Sequence, residues 1–295
     1  MITDNQTDLL CFADCLPKMQ SVFYDRLTRV LKSCKKDFDL LPGTKDIWAV
    51  DFMPIQISRK HFVRFTYNPD YLQSEKWRKT ISNTDAICEA MQIEIEKSTI
   101  LVDGGNVVRT KSKAIMCDKV FRENPSLTEK SLIKEIVEQL QIDQLIIIPT
   151  HPKDEFGHSD GMLRFLDDHT VLINDYSRES HEFQRRFRMA LHNANLDWEV
   201  LPYNPYNNKR NIQAQGVYIN YLQMHGLILL PIFSQDEDSI AENQIQQLFS
   251  GQGLEIRTID CTEIAKLGGL MNCISWNILD PNDQICQQNS VCAQY

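Results

Sequence analysis

The sequence predicts an α/β protein, and two observations support that prediction. Amphipathic helical segments precede short apolar runs of strand length, as in Leu132–Leu140 before Leu145–Ile148 and Phe183–Leu191 before Trp198–Leu201. This passage from helix to strand recurs at intervals of several tens of residues, which suggests a repeated unit. The chain has no linker-like tract rich in Pro, Gly and Ser, so we expect a single domain over residues 1–295.

Four helices are predicted from apolar residues at helical spacing. The first follows Pro17, the second begins at Ser126-Leu127-Thr128-Glu129, and the third and fourth cover approximately residues 178–195 and 239–249. In the second helix, Ser126 and Glu129 match a capping box, in which the serine side chain accepts from the amide of Glu129. Between and around the helices lie apolar runs of strand length, for example 47–50, 62–65, 99–102, 114–117, 145–148, 171–173, 217–221, 227–230 and 255–259.

Composition and charge argue against nucleic acid and membranes as partners. The net charge of −9 argues against general nucleic-acid binding. The first residues lack a basic segment followed by an apolar run, and no stretch approaches the roughly 20 apolar residues of a membrane span. We therefore expect a cytoplasmic protein without membrane partners, whereas its oligomeric state cannot be read from the sequence.

The cysteines do not indicate a metal site. The chain has nine of them, and no two form a C-x-x-C pair, so neither a zinc site nor a redox motif is predicted. We expect most of them to be reduced, buried and apolar in character. One catalytic cysteine is compatible with that background.

Cys273 is the candidate nucleophile. It follows the paired glycines Gly268 and Gly269, which allow the backbone to approach a ligand closely. The alternative is an inert cysteine of the core. The surroundings indicate an exposed glycine turn followed by an apolar strand. This does not favour a cysteine protease, whose cysteine usually opens a helix.

His158 and Asp160 are candidates for an acid/base and a carboxylate beside it. On an extended strand, side chains two residues apart share a face, and Gly157 and Gly161 leave room for a substrate. The alternative is a surface loop, because the segment that precedes His158 is polar and turn-like.

Asp51 is a second candidate carboxylate. It adjoins an apolar stretch, so it needs a partner, either a protein donor or a bound cation. Trp48 offers a flat face to a planar cation. The alternative for Asp51 is a turn aspartate before Pro54. Two other polar segments stand out in the sequence. Asp103-Gly104-Gly105-Asn106 has the composition of a turn, and Asn220 lies in an expected strand.

Taken in order, these segments resemble the agmatine deiminase and bacterial-type peptidylarginine deiminase family of the guanidino-group modifying superfamily. That family has the motifs Trp-x-Arg-Asp-x-Gly-Pro, an acidic residue with Gly-Gly-(Asn or Ser), Gly-His-x-Asp, Tyr-x-Asn-Phe and Gly-Gly-x-x-(His or Asn)-Cys. The matching stretches here are 48–54, 103–106, 157–160 with Arg164-Phe165 after it, 218–221 and 268–273. The resemblance covers approximately residues 46–275.

The resemblance implies a five-unit α/β propeller (pentein) of ββαβ-like pseudo-repeats around a substrate channel. It implies Cys273 as nucleophile, His158 as acid/base, and Asp51 and Asp160 as carboxylates that hold the guanidinium. It also implies that Trp48, Asp103, Asn220 and Gly269 contribute to substrate binding. Two positions differ from the family, because Val50 replaces its arginine and Met53 its glycine, and the chain is shorter than typical members at the N-terminus.

The expected function is that of a hydrolase that converts the guanidino group of an arginine-like substrate to a ureido group with release of ammonia. Neither a metal nor an organic cofactor is required for this chemistry. The expected substrate is a small guanidino compound or a peptidyl arginine. Two alternatives remain: an amidinotransferase on the same scaffold, and a non-catalytic protein that binds arginine side chains of a partner.

Overall fold

The fold consists of small sheets that share one pattern of strand pairing. The computed structural model describes residues 1–282, which contain five three-stranded sheets. In each sheet the central strand pairs antiparallel with one neighbour and parallel with the other. The strands of the described part are β1 Leu9–Ala13, β2 Asp39–Leu41, β3 Ile55–Ser58, β4 His61–Thr66, β5 Glu96–Leu101, β6 Val108–Arg109, β7 Lys113–Cys117, β8 Gln144–Ile148, β9 Leu163–Phe165, β10 Thr170–Asn174, β11 Asp197–Leu201, β12 Leu222–Met224, β13 Leu227–Ile232, β14 Glu255–Asp260 and β15 Ser275–Ile278.

Helices connect the parallel strands of every sheet. The α-helices of residues 1–282 are α1 Leu16–Met19, α2 Ser21–Ser33, α3 Ala49–Phe52, α4 Glu75–Arg78, α5 Thr84–Ala90, α6 Lys119–Glu123, α7 Glu129–Leu140, α8 His181–Asn193, α9 Glu237–Leu248, α10 Thr262–Ala265 and α11 Met271–Ile274. Each unit therefore runs strand, strand, helix, strand. A parallel pair needs such a crossover because its two strands point the same way.

The last described strand completes the first unit. Strand β15 pairs antiparallel with β1, with Leu9 opposite Ile278, and β1 pairs parallel with β2. The two ends of the described chain thus share one sheet, and the five units form the five-unit α/β propeller. The predicted ββαβ pattern is confirmed.

Helices pack their apolar stripes into the interior as the sequence pattern predicts. Phe23, Leu27 and Leu31 of α2 are buried, and so are the equivalent residues of α7 and α8. Full burial of one such side chain contributes about 1.5–3 kcal/mol. By contrast, Met19 of α1 and Val22 of α2 are exposed.

Two predicted strands are wrong. Residues 47–50 lead into the helical turn α3, and residues 217–221 form a loop whose one β-bridge joins Tyr203 to Val217. Tyr218, Ile219 and Tyr221 of that loop are fully buried. Both segments are apolar because they lie in the interior near the candidate site, and a short apolar run does not distinguish a buried turn from a strand.

The predicted cap of α7 is also wrong. Thr128, rather than Ser126, is the N-cap residue, and its side chain accepts from the backbone amide of Ser131 at 3.2 Å. Glu129 is then the first residue of the helix, so it does not occupy the third position that a capping box requires.

Other sequence expectations concern the whole chain. Within residues 1–282, none of the helices combines the length and apolar character needed to span a bilayer. The seven cysteines of this part are free thiols, and Cys286 and Cys292 lie outside the described residues. The single domain over residues 1–295 and the cytoplasmic location stay predictions, and residues 283–295 of that domain lie outside the described part.

Candidate active site

Helix α3 presents Asp51 to a glycine turn. The backbone N–H of Gly105 donates to Asp51 Oδ1 at 3.0 Å, which provides the partner that a buried carboxylate needs. A Cβ atom on Gly104 would lie 1.9 Å from the carbonyl oxygen of Val50, and one on Gly105 would lie 2.6 Å from Asp51 Oδ1. Only glycines allow this approach, so the Asp103–Asn106 segment supports the site structurally.

His158 lies between two carboxylates. Its Nε2 is 2.9 Å from Asp103 Oδ2 and its Nδ1 is 3.6 Å from Asp51 Oδ1. The predicted strand through His158 and Asp160 is wrong: His158 is extended, but a 3₁₀-helix, Ser159–Gly161, begins directly after it. Asp154 stabilises this turn by accepting from the backbone N–H of His158 at 3.1 Å.

The charges around His158 change its protonation. Burial lowers the pKa of His158, but the Asp51 and Asp103 carboxylates outweigh burial and raise that pKa to about 9. Burial, helped by Asp103 and Asp160, raises the pKa of Asp51 to about 7, against the opposing effect of His158. At neutral pH, His158 is therefore an imidazolium held by its acidic neighbours.

Cys273 lies in the one-turn helix α11, between the paired glycines and β15. Its Sγ donates to Asn220 Oδ1 at 3.3 Å and lies 3.7 Å from Asp160 Oδ2. Burial and the negative charges of Asp160 and Asp51 raise the pKa of the thiol well above its usual range. The thiol is therefore protonated at neutral pH.

Gly269 makes room for Trp48 beside Cys273. A Cβ atom on Gly269 would lie 2.4 Å from Trp48 Cζ3 and 3.0 Å from Cys273 Cβ. The expected exposed glycine turn is wrong in part, because Gly269 is buried. The close packing with Trp48 explains why a glycine is required at this position.

A chain of polar contacts orients Asp160. Asn272 Nδ2 donates to Asp160 Oδ2 at 2.7 Å, and Asn272 Oδ1 accepts from Arg164 at 3.3 Å. Arg164 also donates to the carbonyl oxygen of Tyr221 at 2.7 Å and pairs with Asp4. Burial raises the pKa of Asp160, while His158 and the amides of Asn272 and Asn220 oppose that rise.

Asp103 has partners that the sequence reasoning missed. Besides His158, its Oδ2 accepts from Lys119 Nζ at 3.0 Å and from the Tyr71 hydroxyl at 3.3 Å. Burial opposes ionisation of Asp103, but the His158 and Lys119 cations hold its pKa below the usual range. No sequence motif pointed to Lys119 or Tyr71, whereas Asn272 and Arg164 stand inside or next to the motifs.

The site opens to a cavity of about 260 Å³ that is lined by Cys273, His158, Asp160, Asn220 and Gly269 together with the loop residues Tyr203, Pro205, Tyr206 and Asn208. Three predicted site residues do not line the cavity but contact residues that do. Trp48 packs against Gly269, and Asp51 and Asp103 lie against His158. The structure thus brings all eight predicted site residues together. The catalytic and substrate-binding roles of all eight residues stay predictions.

Across residues 1–282, the histidine, cysteine and carboxylate side chains form no group of three or more that could hold a metal ion.

Comparisons with known proteins show what the chain is similar to. A family model described as Porphyromonas-type peptidyl-arginine deiminase matches residues 20–278. The curated protein "Putative agmatine deiminase 1" of Listeria monocytogenes is 21% identical over 239 residues, which are 68% of this chain and 64% of that protein. The chain thus spans less than two thirds of the length of this relative.

Solved structures share the fold. The agmatine deiminase of C. jejuni superimposes with a TM-score of 0.75 and 16% identity, covering 94% of each chain. The agmatine deiminase of Enterococcus faecalis gives a TM-score of 0.72 and 14% identity, again with 94% of each chain covered.

Proposed function

Because the chain belongs to the Porphyromonas-type peptidyl-arginine deiminase family, we propose that it is a cysteine-dependent deiminase of a guanidino compound. The products would be a ureido compound and ammonia. One observation carries the proposal: the Cys273 thiol lies 3.7 Å from Asp160, beside a histidine held by two carboxylates, in the wall of one cavity. This is the equipment that hydrolysis of a planar cation requires.

Asp160 and Asp51 hold the guanidinium in this proposal. An arginine-type guanidinium is planar and permanently charged, and carboxylates bind its nitrogens through charge-assisted hydrogen bonds. Asp160 lines the cavity directly, and Asp51 lies behind His158 with a pKa raised to about 7. The bound cation would favour ionisation of both carboxylates.

Substrate binding would also activate the nucleophile. Burial, together with the negative charges of Asp160 and Asp51, keeps the Cys273 thiol protonated. A guanidinium bound in the cavity beside Asp160 and the sulfur offsets those charges and lowers the pKa of the thiol. The reactive thiolate thus forms mainly when substrate is present.

The first half-reaction exchanges a nitrogen for the sulfur. The Cys273 Sγ–carbon bond forms, and one carbon–nitrogen bond breaks. The thiol proton passes to solvent as the thiolate forms, and His158 donates its own proton to the departing nitrogen, so that ammonia leaves and His158 becomes neutral. A positively charged thiouronium remains on the enzyme.

The second half-reaction returns the thiol. His158, now neutral, takes a proton from water as its oxygen attacks the carbon. The carbon–sulfur bond then breaks, the ureido product leaves with a neutral C=O group, and Cys273 and His158 regain their protons. The net reaction consumes one water for each ammonia released.

The two departures from the family motif lie away from the reaction cavity. Val50 and Met53 line a second cavity of about 380 Å³, which shares Asp160 with the first. The wall that carries Cys273 and His158 contains neither of them. This supports retention of activity despite both replacements.

Substrate choice is proposed to depend on the loop that lines the cavity. Tyr203, Pro205, Tyr206 and Asn208 belong to that wall. Small guanidino compounds such as agmatine and arginine, and peptidyl arginine, differ at the end that this loop would contact.

The experiment is an ammonia-release screen across small guanidines and arginine peptides, with Cys273→Ala as the blank. We expect one class to yield ammonia and a ureido product in equal amounts, and the blank to yield none. A new guanidino compound without ammonia would indicate amidinotransfer instead. Folded protein that binds guanidines without forming either product would contradict the proposal.

A further inference from the structure

Lys119 is a buried lysine next to the candidate site. Its side chain is 2% exposed, and its Nζ lies 3.0 Å from Asp103, 3.2 Å from Glu123 and 3.5 Å from Asp70. It also lies 4.6 Å from the centre of the Tyr71 ring. Lysine is almost never buried without partners of opposite charge. The burial of Lys119 beside the candidate site therefore needs a physical explanation.

Asp103 links Lys119 to His158. The Oδ2 atom of Asp103 accepts from His158 Nε2 at 2.9 Å and from Lys119 Nζ at 3.0 Å, so both cations share one oxygen. Lys119 is not among the residues that line the cavity with Cys273. Its effect on chemistry must therefore pass through Asp103 and His158.

Gly157 makes this contact possible. A Cβ atom at Gly157 would lie 2.8 Å from Lys119 Cδ and 3.2 Å from Lys119 Cβ, and its φ of +72° is itself unfavourable for other residues. The glycine before His158, expected to make room for a substrate, in fact makes room for Lys119. The motif and the lysine are thus parts of one arrangement.

We infer that Lys119 is a positioning residue that keeps Asp103 ionised against His158 Nε2 and limits how tightly His158 holds its proton. The inference rests on the proposed function only in assigning His158 as the acid/base. The contacts among Lys119, Asp103 and His158 exist whatever the substrate.

The sign of the effect follows from the charges that face His158. Asp51, Asp103 and Asp160 favour its protonated form, Lys119 disfavours it, and the Tyr71 and Phe156 rings pack against it. Replacing Lys119 by a neutral residue removes a repulsive charge and leaves Asp103 to His158 alone. The His158 titration then moves to higher pH, by about one unit for a neighbouring buried charge.

Glu123 provides a test of opposite sign. It pairs with Lys119 across one helical turn and partly offsets the lysine charge. In Glu123→Gln the amide keeps the shape and removes that charge, so Lys119 acts more strongly and the His158 titration moves to lower pH. A purely structural role for Lys119 has no reason to produce shifts of opposite sign.

The experiment follows the His158 ring by NMR as a function of pH, alongside the pH dependence of ammonia release. Lys119→Met, Lys119→Arg and Glu123→Gln are compared with the wild type. The matched controls are Lys134→Met and Glu138→Gln, an exposed lysine–glutamate pair with the same spacing on α7. We expect an upward shift in Lys119→Met, a downward shift in Glu123→Gln, and little change in Lys119→Arg or the controls.

An unchanged His158 titration in Lys119→Met, or equal shifts in the controls, would overturn the inference. If Lys119→Met does not fold, the direction of the Glu123→Gln shift decides instead. Expected NMR shifts in a protein that releases no ammonia would keep the positioning role and reject the deiminase. Ammonia release with unchanged His158 titrations would keep the deiminase and reject the positioning role of Lys119.

Discussion

Gly105 and Asp51 make a contact that a side chain at position 105 would block. The Gly105 N–H donates to Asp51 Oδ1 at 3.0 Å, and a Cβ atom on Gly105 would lie 2.6 Å from that oxygen and 2.8 Å from His158 Nδ1. The glycine therefore fixes the distance between the carboxylate of α3 and the candidate acid/base.

Gly105→Ala tests this relationship. The added methyl group must displace Asp51 or His158, and a misplacement near 1 Å costs about 100-fold in rate. Overpacking lowers the free energy of unfolding by about 1–3 kcal/mol. Ammonia release and denaturant unfolding measure the two effects. In the comparison variant Gly161→Ala the new Cβ meets no atom within 4 Å, so its stability is expected to match the wild type. Wild-type turnover in Gly105→Ala would show that the contact is dispensable.

Asn272→Ala tests the orientation of Asp160. The substitution removes the 2.7 Å hydrogen bond to Asp160 Oδ2 and frees the Arg164 guanidinium from its contact with the amide. A hydrogen bond to a charged group contributes about 1.5–3 kcal/mol, so kcat/KM is expected to fall about 10- to 100-fold. Steady-state kinetics measure this loss, with the exposed Asn193→Ala as control. Equal kinetics in both variants would count against the contact chain.

The pH dependence of kcat/KM follows from two residues. The pKa of Asp51 is raised to about 7 and that of His158 to about 9, so the free enzyme has Asp51 ionised and His158 protonated between those values. We expect a bell-shaped profile with its maximum near pH 8; because the groups interact, its limbs report apparent pKa values of the set. Asp51→Asn is expected to remove the acidic limb. A maximum below pH 6 would be inconsistent with these charges.

Stability should also depend on pH through His158. Its folded-state pKa, about 9, lies above the unfolded value of 6.5, so its contribution is complete below pH 6.5 and is lost as the pH rises through 9. We expect the free energy of unfolding to fall by up to about 3 kcal/mol between pH 6.5 and 9.5. Urea unfolding at both pH values measures the change, and His158→Gln should reduce it. A wild-type stability that rises over this interval would exclude the interpretation.

Much of the site could be predicted because its residues lie in motifs that follow one another along the chain in the order seen in the family. The sequence brought Asp51, His158, Asp160, Asn220 and Cys273 to attention, and the structure places them together. Local conformation was harder: the apolar runs at 47–50 and 217–221 are buried loops and turns, where burial rather than strand pairing selects apolar residues.

The role of Lys119 could not be read from the sequence. Its burial depends on Asp103 and Tyr71, which come from other segments of the chain, and on the missing side chain of Gly157. A lysine at the start of a helix normally suggests an exposed position. Only the packing of several units against one another makes it a partner of the site.

The most direct test of the central claim is mass spectrometry of protein quenched during turnover with the guanidine that releases ammonia fastest. The account predicts a thiouronium adduct, formed with loss of ammonia, on the peptide that contains Cys273, and no adduct or turnover in Cys273→Ala. Undiminished ammonia release by Cys273→Ala, without any adduct on the wild-type cysteine, would contradict it.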